Sequence, residues 1–139
     1  IDTLVNKARP FLFSTAPSPL MAVAVGTALQ RIAGEAGDQL REELRALVAH
    51  AGEALCAPLG LALPQTQIIP IILGDDRRTM DIAAACQRAG FDVRGVRPPT
   101  VPPGTSRLRL SITRNVSHEN IARLAAFLLP LLQKKERDA

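Results

Sequence analysis

Hydrophobic and polar positions change period several times along this chain, and each change marks an element. Between Arg107 and Thr113 they alternate strictly. Leu108, Leu110 and Ile112 fall on one side of an extended chain, and Arg107, Arg109, Ser111 and Thr113 on the other. That pattern predicts a half-buried strand with two arginines on its polar face. Gln67 to Leu73 is instead continuously apolar, which predicts a strand buried on both sides, with Pro70 arguing for an edge position or a bulge. Phe91 to Val96 reads as a further strand, and Phe11 to Thr15 as a short extended run.

Helical spacing fills most of the remainder. Leu4, Val5 and Ala8 make a short stripe ended by Pro10. Ser18-Pro19 is a cap followed by a proline in the first turn. It opens a helix to about Ala33 that is apolar nearly all round, so it belongs against other protein, in this domain or beyond it. Gly34 and Gly37 break the pattern. From about Asp38 to Leu59 the spacing is amphipathic, with Leu40, Leu44, Leu47, Val48, Ala51 and Leu55 on one face and Gly60 as the C-cap, Pro58 ending regular structure a little earlier. Gly74-Asp75-Asp76 turns into a helix from about Arg77 to Ala89, closed by Gly90. Ser117 caps a last helix with the stripe Ile121, Leu124, Ala125, Leu128 and Leu132, which Pro130 should kink or end. Helices around a small, mainly antiparallel sheet, covering one of its faces, make an α+β domain.

Composition narrows the chemistry. At 139 residues and 47% hydrophobic the chain can bury a core, and without Trp or Tyr that core is aliphatic. The net charge of +4 comes from scattered basic residues with no aromatic platforms between them, a poor nucleic-acid groove. Lys134-Lys135-Glu136-Arg137 reads as a solvated tail. No apolar run reaches membrane-spanning length without proline or charge. Cys56 and Cys86 stand in no metal or redox spacing and read as reduced, buried thiols of a cytoplasmic protein. His50 and His118 read as surface residues on helices. No metal-ligand cluster, phosphate loop or nucleophile elbow is present. The chain opens at Ile1 with what reads as mid-protein sequence, so it is expected to be a fragment.

The candidate chemistry lies in Arg97-Pro-Pro-Thr-Val-Pro-Pro-Gly-Thr-Ser-Arg-Leu-Arg-Leu110. Four prolines fix most dihedrals of the loop before the strand, so little freedom remains to be lost on ligand binding. Arginine on the strand's polar face offers a planar fork of donors for a carboxylate or phosphate. The plainer alternative is a half-exposed strand with solvated arginines.

This stretch resembles the C-terminal signature of the α-oxoamine synthases, pyridoxal-phosphate enzymes of the aspartate-aminotransferase fold type. Ile68-x-Pro-Ile-Ile-Leu-Gly-Asp75, Ala89-Gly-Phe-x-Val-x-x-Val-Arg-Pro-Pro-Thr100 and Ala8-Arg-Pro-Phe-Leu-Phe-Ser-Thr-Ala-Pro17 are similar to the same family, over roughly the last third of a member. The resemblance implies that residues 1–33 are the tail of a large cofactor domain with its connecting helix, and that 34–139 form the C-terminal small domain. It implies that Ser14, with Thr15 as a weaker candidate, reaches the cofactor phosphate of a neighbouring subunit in a homodimer. Thr100 would contact substrate, and Arg109 would hold the amino-acid carboxylate. Arg107 is its competitor, and Arg97 an outside one. The cofactor lysine would lie upstream of Ile1, leaving the fragment inactive.

The implied reaction joins an acyl thioester, on coenzyme A or a carrier protein, to an amino acid. The Arg-Pro-Pro-Thr-Val-Pro form points to the branch using a pimeloyl thioester and L-alanine. The glycine-using 2-amino-3-ketobutyrate CoA ligase and 5-aminolevulinate synthase are the alternatives within the family, and a non-catalytic binding or assembly module is the alternative outside it.

Overall fold

The computed structural model describes residues 1–8 and 18–133. The predicted extended run at Phe11 to Thr15 and the basic tail lie outside the described residues. The chain divides into two compact units, Ile1–Gln39 and Leu40–Ala139.

The first unit holds α1 (Asp2–Lys7), α2 (Pro19–Ala33) and the opening of α3 (Glu35–Ala51). Helix α2 has the bounds its pattern predicts, with Ser18 at the N-cap, proline in the first turn and Gly34 at the C-cap. None of its residues is buried, and Leu20, Met21, Val23, Val25, Leu29 and Ile32 are exposed. The expectation of a covered helix is therefore not met within these residues. Gly37 does not break structure. It lies inside α3, where a side chain would run into the Ile32 carbonyl.

The second unit is built on a three-stranded antiparallel sheet in the order β1 (Ile68–Gly74), β3 (Ser106–Ser111), β2 (Arg94–Val96). The register sets Pro70 opposite Arg109 and Ile71 opposite Leu108 on one side, and Arg94 opposite Arg109 and Gly95 opposite Leu108 on the other. Ile69, Ile71, Leu108 and Leu110 thus share a face with Gly95. That face packs on α4 (Asp76–Arg88), α5 (His118–Gln133) and a π-helical turn at Gly52–Cys56. A side chain on Gly95 would meet Met80 and Ala83 of α4, so glycine lets helix and strand approach. Helices cover one face of a small antiparallel sheet, as the pattern predicts.

Three boundaries differ from expectation. The α-helical hydrogen-bond pattern of α3 ends at Ala51, and the chain continues through the π-helical turn and a 3₁₀ turn at Ala57–Leu59 to Gly60, whose φ of 67° is the left-handed cap. Only Arg94–Val96 of the predicted Phe91–Val96 strand pairs. Pro130 lies inside α5, which runs on to Gln133.

Strand β1 is not buried on both sides. Ile69 and Ile71 are core, while Ile68 and Ile72 are 47% and 60% exposed. An apolar run is ambiguous because isoleucine favours strands whichever way it faces. The edge position argued from Pro70 is what the sheet order gives, and the register shifts between Ile72 and Gly74.

Candidate functional site

On the uncovered face of the sheet the side chains form two cross-strand rows. One row is Pro70, Arg109 and Arg94, and the other is Ile72, Arg107 and Val96. Arg109 sits at the centre of the first, exposed, on the side away from the helices. Leu108 and Leu110 are fully or nearly fully buried on either side of it in sequence. The buried leucines fix the strand's rotation, and alternation then obliges Arg109 to face outward.

Loop 97–105 positions the other candidates. The Thr100 amide donates to the Arg97 carbonyl at 3.0 Å. The Thr105 amide and hydroxyl both donate to the Pro102 carbonyl, at 3.2 and 2.7 Å. The Pro98–Pro99 peptide is cis, and Gly104 has φ 75°. Thr100 is exposed and closes the turn whose tip is Pro98–Pro99.

The structure separates the two strand arginines. Arg107 is half-buried, and its Nε donates to the Thr105 carbonyl at 3.0 Å. Arg109 instead lines a groove of about 1130 Å³ that also takes in Arg97, Pro98, Pro99 and Thr100. Thr100, Arg97 and Arg109 are thus brought to one groove, and Arg107 is not among its lining residues. Ser14 and Thr15 lie outside the described residues.

Two features were missed in the sequence. Arg94 lines the groove beside Arg109, gripped by Asp92 with Nε–Oδ1 at 2.7 Å and a terminal nitrogen to Oδ2 at 3.1 Å. The signal was the i, i+2 spacing of Asp92 and Arg94. Arg123 also lines it, its guanidinium 6.0 Å from the Phe91 ring centroid. Four arginines and one aspartate therefore bound the groove among the described residues, a field suited to anions. His118 is exposed as expected, but His50 corrects the surface reading. His50 is half-buried, its Nε2 lies buried without a hydrogen-bond partner, and its ring stands edge-on to His118 at 4.6 Å.

Among the described residues no three His, Cys, Asp or Glu side chains cluster to hold a metal, and no helix is long and apolar enough to cross a membrane. The described residues do not make a pyridoxal-phosphate site on their own. Their one lysine, Lys7, is exposed on the six-residue helix α1.

Comparison with known proteins follows the same lines. The chain is 40% identical over 130 residues to 8-amino-7-oxononanoate synthase of Paraburkholderia phymatum, covering 93% of this chain and 33% of the relative. It spans a third of the length of the curated relatives it matches. The solved 8-amino-7-oxononanoate synthase of Francisella tularensis shares the fold with a TM-score of 0.68 at 21% identity, over 94% of this chain and 37% of that one. A serine palmitoyltransferase from S. paucimobilis, solved with bound pyridoxal phosphate and myriocin, gives a TM-score of 0.75 at 22% identity, over 94% of this chain and 33% of that one. The pattern for aminotransferase class I and II matches residues 1–128, and the chain belongs to that family.

Proposed function

We propose that this chain is the C-terminal part of an 8-amino-7-oxononanoate synthase, an enzyme of biotin synthesis. It would join a pimeloyl thioester to L-alanine, releasing carbon dioxide and the free thiol. Residues 1–33 end the large domain and connect it to the small domain of residues 34–139. The whole enzyme works as a cytoplasmic homodimer. Ser14 and Thr15 serve the cofactor phosphate across the subunit interface. Pyridoxal phosphate, when bound, supplies the electron sink that stabilises negative charge at the amino-acid α-carbon.

The observation that carries the reading is Arg109, held outward by Leu108 and Leu110 into the groove that Thr100 also lines. A guanidinium there receives the amino-acid carboxylate through two parallel N–H···O bonds, fixing the α-carbon's orientation. Thr100 closes on the same substrate from a loop with few conformations to lose. Arg107, engaged with the Thr105 carbonyl, plays a structural part.

In the full-length enzyme, Arg109→Ala raises the amino-acid KM by at least about tenfold, the scale of a lost charge-assisted hydrogen bond. Arg107→Ala changes it far less. An unchanged KM for Arg109→Ala rejects the assignment. Titrating the full-length protein with alanine and with glycine, followed by cofactor absorbance, tests the amino acid. A response to glycine alone would place the protein with the glycine-using relatives.

A further inference from the structure

We propose that Arg94 and Asp92 tune the strength of Arg109 as an anion receptor, so that amino-acid affinity is set by two strands and not by one guanidinium. This rests on the reading of Arg109 given above. The register places Arg94 directly across from Arg109, on the same uncovered face and along the same groove. Opposed residues of an antiparallel pair have their Cβ atoms about 5 Å apart, close enough for each charge to feel the other.

Like charges so placed repel, and a counter-charge is required to hold them together. Asp92 supplies it, engaging Arg94 through both carboxylate oxygens, at 2.7 and 3.1 Å. Among the described residues Arg109 has no such ion pair. The division of labour is uneven. Arg94 is partly neutralised and tethered, and Arg109 keeps its donor fork for a ligand. A carboxylate arriving at Arg109 feels the attraction of Arg94 and the opposition of Asp92, the one acidic side chain lining the groove among the described residues. Neither residue need touch the substrate. Both act through the field at Arg109.

Two side chains of opposite sign, one opening β2 and the other two residues ahead of it, make the test directional. In the full-length enzyme, Arg94→Gln raises the amino-acid KM by about two- to fivefold and Asp92→Asn lowers it by a similar factor, the range of exposed charge pairs. In both variants kcat stays within a factor of about two, because the interaction is equal in ground and transition states. Arg94→Lys keeps the parent KM. Both effects shrink toward none near 1 M salt, where the screening length is about 3 Å. The side chains are 62% and 73% exposed, so the variants keep their fold, which unchanged melting temperatures verify.

Shifts of KM in the same direction for Arg94→Gln and Asp92→Asn, or no shift in either, overturn this inference while the Arg109 assignment stands. If Arg109→Ala itself leaves KM unchanged, the assignment falls and takes this inference with it.

Discussion

Leu108 and Arg109 are chain neighbours with opposite fates. The first is fully buried and the second exposed on the other face of β3. This contrast was legible from alternation alone, as was Ser117, whose Oγ accepts from the Asn120 amide at 3.1 Å. Choosing between Arg107 and Arg109 was not, because both lie on the polar face. What separates them is a hydrogen bond made by the loop's own carbonyl, and no periodicity encodes that. The histidine contact was illegible for a like reason, since a 4.6 Å approach joins residues far apart in sequence. Cys56 and Cys86 were read correctly as free, buried thiols. Burial pushes both above their ordinary value of 9.0, because a thiolate is poorly solvated there. The native state therefore holds these protons more tightly than the unfolded chain. Their contribution to stability is complete below the unfolded thiol's pKa and is lost as pH rises through the folded one. Urea midpoints should fall as pH rises above the ordinary thiol range of about 8.5, and the fall should be shallower in a Cys56→Ala/Cys86→Ala double variant.

Elements were legible where local chemistry is decisive. Asp75 caps α4 by accepting from the Arg78 amide at 2.6 Å, and the Asp75 carbonyl accepts the buried Thr79 hydroxyl at 2.6 Å. Gly90, at φ 87°, follows the end of the same helix. Asp75→Ala should cost about 1 kcal/mol of unfolding free energy, with Asp75→Asn or Asp75→Ser restoring most of it, measured by denaturant unfolding. Elements were misread where packing overrides pattern. The α3 stripe runs on to Leu55, but the chain changes winding at Gly52, where an added side chain would collide with Pro64. Strand β2 is shorter than its apolar alternation because just three of its residues find partners on β3. The proline loop behaved as its composition demands.

At the scale of the molecule, the two units differ in how they solve burial. Residues 40–139 close an aliphatic core around Leu55, Ile69, Leu108 and Leu128. Helix α2 leaves its apolar residues exposed, which suits a segment that packs against other protein. The α+β class and the single covered face were readable from the order of elements. The sheet's strand order was not, since pairing of β1 with β3 joins segments separated by a whole helix and a strand. That order gives Pro70 a meaning beyond the domain. It lies on an outer strand, where a proline, having no amide to donate, makes the edge a poorer template for a second molecule's strand. Pro70→Val would restore an amide donor between two already exposed isoleucines. Light scattering at raised concentration should then show faster growth of ordered aggregates than the parent chain, so this proline guards solubility from the same cross-strand row as Arg109.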